Sequence, residues 1–107
     1  SHLRGHHESL ERIRLALSNG EFVLYYQPKV NMRSGKITGA EALIRWQHPE
    51  RGLLSPAEFL PVIETDALAI EVGEWVIDTA LAQMAQWLQQ GLEMPVMLGS
   101  SPQRAFL

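Results

Sequence analysis

The feature that most constrains the fold is a change in the spacing of the apolar residues near residue 20. Over residues 8–19 they recur every three or four positions, which is typical of an amphipathic helix. Over residues 22–32 they alternate with a period of two, which indicates a strand. Gly20 lies between the two patterns, where it would end the helix. A hairpin turn at Asn19-Gly20 is the alternative, but the helical residues before it favour the helix cap.

A second strand is predicted directly after the first. The polar residues 33–36 form a turn, and residues 37–46 then return antiparallel to the first strand. Pro28 has no amide hydrogen, so it predicts a bulge, an edge or an irregularity within the first strand. The chain therefore opens with a helix and an antiparallel hairpin.

The remaining residues alternate between helical and apolar patterns. Ser55-Pro56-Ala57-Glu58 has the sequence of a capping box, which predicts a helix that begins there. The predicted elements that follow are a long amphipathic helix at residues 69–90, a buried strand at 94–98 and a helix starting at Ser101-Pro102. This order predicts an α/β fold, from which the opening hairpin departs.

Composition narrows the partners and the compartment. A net charge of -3 over 107 residues gives no basic surface for a polynucleotide. The absence of cysteine excludes disulfides and thiolate metal sites and fits a reducing cytoplasm. No apolar run approaches the roughly 20 residues that span a bilayer, so we expect no membrane contact by this segment. We therefore predict a cytoplasmic location. This prediction also covers the case in which the segment is the cytoplasmic part of a membrane-anchored multidomain protein.

Residues 1–7 are interpreted as a linker or an expression scar that precedes the folded part of the chain. His6 and His7 are adjacent and could bind a transition metal, but histidines at a chain start are more often part of such a linker. The sequence therefore predicts one domain portion at residues 8–107.

Glu41 is the residue whose chemistry most needs an explanation. Alternation along the second strand places it on the same face as Leu43 and Arg45. A carboxylate beside alanines on a largely apolar strand is costly to bury unless it is paired or binds a metal. Arg45 lies about 13 Å further along the strand, too far for an adjacent ion pair. Two interpretations stay open on spacing alone: a metal-binding carboxylate with a phosphate-binding guanidinium, or a solvent-facing glutamate.

A resemblance adds to this reasoning. Residues 39–46, Gly-Ala-Glu-Ala-Leu-Ile-Arg-Trp, contain the Glu-Ala-Leu triplet that names the EAL family, with its arginine and tryptophan. Three other segments resemble the same family in the same order: Tyr-Tyr-Gln-Pro at 25–28, Gly-Leu-Leu-Ser-Pro-Ala-Glu-Phe-Leu-Pro at 52–61, and Gly-Glu-Trp-Val at 73–76. The chain therefore resembles the N-terminal portion of an EAL domain.

The resemblance implies a TIM-like barrel whose first strand runs antiparallel to the others, which agrees with the predicted hairpin. A complete barrel of this type takes about 250 residues. The resemblance thus implies an incomplete (β/α) barrel with open strand edges and exposed apolar faces. We expect such a chain to self-associate as a homo-oligomer.

The resemblance also implies an activity. Enzymes of the family hydrolyse one phosphodiester bond of cyclic di-GMP to give pGpG, with two Mg²⁺ or Mn²⁺ ions. Carried over by position, Glu41 is a metal ligand, and Gln27, Leu43 and Arg45 bind the cyclic di-GMP. The prediction is a cyclic di-GMP phosphodiesterase in the longer protein, with the 107-residue fragment inactive and holding no metal tightly.

One position departs from the family pattern. Gly99 aligns with the asparagine that binds metal in the family, and glycine has no side-chain oxygen; a register shift of one residue would instead offer Ser100. The alternative prediction is therefore a degenerate EAL-like module that binds cyclic di-GMP or dimerises without catalysis. A structural α+β unit unrelated to nucleotides is the third hypothesis.

Overall fold

The structure is a computed structural model that describes residues 2–99, with side chains from residue 5. In chain order its elements are α1 (His2–Ser18), β1 (Phe22–Val30), β2 (Ile37–His48), β3 (Gly52–Leu54), a 3₁₀ helix (Pro56–Glu58), α2 (Leu60–Ile63), α3 (Leu68–Gln89) and β4 (Val96–Leu98). The strand order is β1-β2-β3, and β4 also pairs with β2. β3 is antiparallel to β2 and β4 is parallel to it. The fold is therefore mixed α/β, as the order of patterns predicted.

The predicted end of the first helix is confirmed. Gly20 follows α1 with a φ of 68°, a conformation that favours glycine. The amide of Glu21 donates to the carbonyl oxygen of Ala16 at 3.0 Å, which closes the last turn of the helix. α1 begins at His2, however, well before the predicted residue 8. Residues 2–7, interpreted as a linker, are helical in this structure.

The predicted capping box is wrong. Ser55 precedes only the 3₁₀ turn, and its hydroxyl makes no capping hydrogen bond. Glu58 instead accepts a hydrogen bond from Arg51 Nη2 at 3.3 Å. A continuous helix is not formed because Pro61 has no amide hydrogen to donate to the preceding turn. Pro61 instead lies in the first turn of the new helix α2, where no backbone donor is needed.

The chain forms two compact units, the first made of Ser1–Val23 and Arg45–Trp75, and the second of Leu24–Ile44 and Val76–Leu107. The core of the first unit is aromatic. The ring of Phe22 lies 5.5 Å from that of Trp46 and 5.3 Å from that of Phe59. Trp46 and Phe59 meet edge to face at 5.7 Å, an arrangement that ring quadrupoles favour. Phe59 is completely buried.

A polar cluster joins α1 to β2 within the first unit. Glu21 Oε1 accepts hydrogen bonds from Trp46 Nε1 and from Arg12 Nη2, each at 2.9 Å. The Arg12 guanidinium lies 5.3 Å from the centre of the Trp46 ring, a cation–π distance. The hydrogen bond from Trp46, reinforced by Arg12, holds the pKa of the Glu21 carboxyl below its ordinary value. Trp46 is therefore fixed by polar contacts as well as by packing.

Glu21→Gln is expected to destabilise the chain by about 1–2 kcal/mol at pH 7, because charge-assisted hydrogen bonds are replaced by neutral ones. The lowered pKa means that ionised Glu21 stabilises the fold above the ordinary glutamate pKa, and that this contribution is lost as the pH falls through the lower folded value. The difference between wild type and variant should therefore shrink as the pH is lowered from 7 through and below the ordinary glutamate pKa. Urea unfolding across this range measures it; a difference that stays constant would contradict the assignment.

The core of the second unit is smaller. It consists of buried Ala42, Ala80 and Val96, and the partly buried side chains packed against it are Leu24, Tyr26, Met84, Trp87 and Leu98. The rings of Tyr26 and Trp87 meet edge to face at 5.1 Å. The hydroxyl of Tyr26 is buried and has no hydrogen-bond partner among the described residues, and burial raises the pKa of Tyr26.

Tyr26→Phe is expected to leave stability unchanged or to raise it by up to about 1 kcal/mol, because the substitution removes a buried donor that makes no hydrogen bond. Thermal unfolding monitored by circular dichroism measures the change. A loss of more than about 1 kcal/mol would mean that the hydroxyl has a partner, contrary to the structure.

The long helix α3 agrees with its prediction to within one residue at each end and is followed by Gly91 with a φ of 83°. The strand predicted at 94–98 is shorter in the structure, where β4 starts at Val96. The helix predicted from Ser101-Pro102 lies outside the described residues. In the part of the chain from residue 2 to residue 99, no helix combines the length and apolar character needed to span a bilayer.

Candidate functional site

Glu41 is buried in the second unit. Only 5% of its surface is exposed, so the solvent-facing interpretation is wrong. It lies on β2 opposite Met97 of β4, in the parallel pairing. A carboxylate in such a place requires a compensating charge or several hydrogen bonds.

A compensating charge comes from β1. Lys29 Nζ lies 2.7 Å from Glu41 Oε1, and the Lys29 side chain is 38% exposed while that of Glu41 is 6% exposed. This ion pair was not predicted, because Arg45 was the only partner considered for Glu41 from the sequence. Alternation along β1 was the available signal, because it places Lys29 on the same face as Gln27.

Gly99 lies against the same carboxylate. Its amide donates to the carbonyl oxygen of Ala42 at 3.0 Å. A Cβ atom at this position would overlap Glu41 Oε2 and would lie 2.6 Å from Leu43 Cδ2. Residue 99 therefore faces Glu41 and Leu43, and the backbone can approach them this closely because it carries no side chain. The space beside residue 99 is filled by the glutamate.

The structure thus brings three of the predicted site residues together, namely Glu41, Leu43 and Gly99. Gln27 is exposed on β1, the strand that also carries Lys29. Arg45 is half-buried on β2 and belongs to the first unit. Ser100, the alternative at the metal-ligand position, lies outside the described residues.

His48, which follows the motif on β2, has a structural explanation. Its Nδ1 accepts hydrogen bonds from the backbone amides of Glu50 at 3.1 Å and Arg51 at 3.2 Å, which stabilises the turn between β2 and β3. A ring nitrogen used in this way is not available as a general base.

The described residues do not fit the two-ion site that the resemblance implies. Mg²⁺ and Mn²⁺ prefer about six oxygen ligands. Between residues 2 and 99, no three His, Cys, Asp or Glu side chains lie close enough to hold a metal ion. Glu41 is already ion-paired with Lys29, and Gly99 contributes no oxygen from a side chain.

Comparison with known proteins decides the family. The sequence model described as "EAL domain" matches residues 10–105. The chain belongs to the EAL domain family. It is 48% identical over 82 residues to the bifunctional diguanylate cyclase/cyclic di-GMP phosphodiesterase MucR of Pseudomonas aeruginosa, covering 77% of this chain and 12% of MucR. It is 40% identical over 89 residues to the cyclic di-GMP phosphodiesterase PdeR of Escherichia coli, covering 83% of this chain and 13% of PdeR.

Solved EAL structures share the fold. The phosphodiesterase of MucR in complex with c-di-GMP superposes with a TM-score of 0.81 and 42% identity, over 88% of this chain and 38% of that one. The EAL enzyme Bd1971, bound to cAMP and cyclic di-GMP, superposes with a TM-score of 0.78 and 38% identity, over 84% of this chain and 24% of that one. This EAL chain therefore has the mixed α/β fold of the TIM-barrel-like EAL structures and spans a minor part of each relative's length.

Proposed function

We propose that this EAL chain recognises cyclic di-GMP and does not hydrolyse it by itself. The observation that carries the proposal is the position of Gly99 against the Glu41 carboxylate. The resemblance assigns a metal-binding asparagine to position 99, and glycine lacks the required oxygen. The relatives and the solved complexes whose names include cyclic di-GMP supply the ligand class.

The side chains proposed to contact the ligand differ in chemistry. The exposed amide of Gln27 offers both a donor and an acceptor to a base or ribose edge. Leu43, which is half-buried beside Gly99, offers an apolar contact. Arg45 would bind a phosphate oxygen, because a guanidinium matches phosphate geometry better than an ammonium does.

A second candidate function is cyclic di-GMP phosphodiesterase activity in a longer protein. The similarity to MucR and PdeR, both named as phosphodiesterases, favours it. In that case Glu41 would bind one of two Mg²⁺ or Mn²⁺ ions in the complete domain, and the product would be pGpG.

The two candidates are separated by one pair of measurements on the 107-residue chain. Isothermal titration with cyclic di-GMP should give saturable binding, and chromatography after incubation with Mn²⁺ should give no pGpG. Formation of pGpG that disappears in Glu41→Gln would replace the proposal with the second candidate. Absence of both binding and turnover would contradict recognition by this chain.

We also propose that the chain self-associates. On α3 in the second unit, Ile77, Leu81 and Leu88 expose 39%, 47% and 60% of their surface, respectively. Helical spacing places large apolar side chains of this kind along a continuous stripe, which water solvates poorly. Light scattering at micromolar concentration should give a mass of at least twice the 12.0 kDa of the chain. A monomeric mass at that concentration would contradict self-association.

A further inference from the structure

The Glu41 carboxylate is held from two sides within the second unit. Oε1 is ion-paired with Lys29 Nζ at 2.7 Å, and Oε2 lies over the backbone of Gly99. Glu41 is the more buried partner, because its side chain is 6% exposed and that of Lys29 is 38% exposed. The ammonium therefore compensates the carboxylate at the edge of a buried site, where screening by water is reduced.

An ammonium in this position competes directly with a divalent ion. Lys29 Nζ donates to one of the two carboxylate oxygens of Glu41, and its positive charge would repel a second cation bound to the same carboxylate. A divalent ion also needs several oxygens to replace its hydration shell. Residue 99 offers none from a side chain.

Gly99 and Lys29 act on the same group. A Cβ atom at residue 99 would lie 2.9 Å from Glu41 Cδ, so the end of the flexible glutamate side chain would have to shift to admit another side chain there. The glycine leaves room for Oε2, while Lys29 pairs with the other oxygen, Oε1.

We propose that Lys29 is the resident cation of this site. Its ammonium neutralises Glu41 in place of a divalent ion, which keeps the site free of metal. Recognition of a cyclic dinucleotide is then independent of Mg²⁺ and Mn²⁺, and this consequence alone rests on the proposed function.

Direct Mn²⁺ binding to the full chain, followed by electron paramagnetic resonance without nucleotide, tests the role of Lys29. Wild type and Gly99→Asn should bind Mn²⁺ weakly. The double variant Gly99→Asn/Lys29→Met should bind it at least about tenfold more tightly than Gly99→Asn, because both carry the amide oxygen and only the double variant lacks the competing charge. Adding Glu41→Gln to the double variant should remove the gain.

Two results would overturn the proposal. One is tight Mn²⁺ binding by wild type that is lost in Glu41→Gln, which would mean that Lys29 gives way to the metal. The other is equal affinity of Gly99→Asn and the double variant, both shown to be folded by circular dichroism. If the variants do not fold, the side-chain ¹⁵N signal of Lys29 in the wild-type chain is measured during a Mn²⁺ titration. The signal should persist. Its loss through paramagnetic broadening would overturn the proposal.

A separate titration with cyclic di-GMP distinguishes this inference from the proposed function. Affinities of wild type in EDTA and in Mn²⁺ should agree within about twofold, since no bridging metal is required. Absence of nucleotide binding would refute the proposed function, while the Mn²⁺ measurements would still decide the role of Lys29. Nucleotide binding that requires Mn²⁺ would overturn the inference and leave recognition intact.

Discussion

Phe59→Ala should destabilise the chain by about 3–5 kcal/mol, the cost of removing a large ring from a packed core. Phe59 is completely buried and its ring contacts those of Phe22 and Trp46 at 5.3 and 5.7 Å. Small domains have a net stability of about 5–15 kcal/mol, so a large fraction of the folding free energy of the chain would be lost. Urea unfolding followed by circular dichroism at 222 nm measures the change in midpoint.

Ile70→Ala is the matched control for this prediction. Ile70 is also a large apolar residue of the first unit, but 66% of its surface is exposed. Its replacement should change stability by no more than about 0.5 kcal/mol. If the two variants lost similar amounts of stability, Phe59 would not be the centre of the core described above.

Arg45→Ala should weaken cyclic di-GMP binding by about 10- to 100-fold, because a hydrogen bond between charged groups contributes about 1.5–3 kcal/mol. Arg45→Lys should recover part of the loss, since an ammonium retains the charge without the planar pair of donors. Isothermal titration in EDTA measures the affinities. Thermal unfolding of each variant checks that a change in affinity is not a change in folding.

Arg51→Ala controls for a general effect of positive charge. Arg51 belongs to the same unit but is exposed and pairs with Glu58 at 3.3 Å. Its removal should leave the affinity within about twofold of wild type, because its contribution is that of a screened surface charge. Equal weakening by both alanine variants would mean that Arg45 acts through net charge and not through a phosphate contact.

The elements with long, regular periodicity could be predicted from the sequence. The 22 residues of α3 and the 12 residues of β2 are long enough for their apolar spacing to be unambiguous. β3 has three residues, too few for any period, and was missed. The capping box failed because Pro61 cannot continue a helix from Ser55: the chain leaves the helical conformation at Phe59, where φ is -138°, and α2 begins anew.

The candidate site was only partly predictable for a different reason. Glu41 and Gly99 were identified from positions in a motif, which is local information along one strand or loop. The ion pair of Glu41 with Lys29 joins residues of two strands and depends on their register. Alternation places Lys29 on a face of β1 but does not give its register against β2, and Pro28, which lacks an amide for the strand ladder, makes that register harder to deduce.

The most direct test is a titration of the ¹⁵N-labelled chain with cyclic di-GMP in EDTA, which identifies the residues whose amide resonances change. If the ligand binds beside Leu43 and Gly99, the amide resonances of these two residues should shift progressively as ligand is added. The amide resonance of Arg51, in an exposed turn, should not shift. A titration in which Leu43 and Gly99 remain unchanged at saturating ligand would contradict the account.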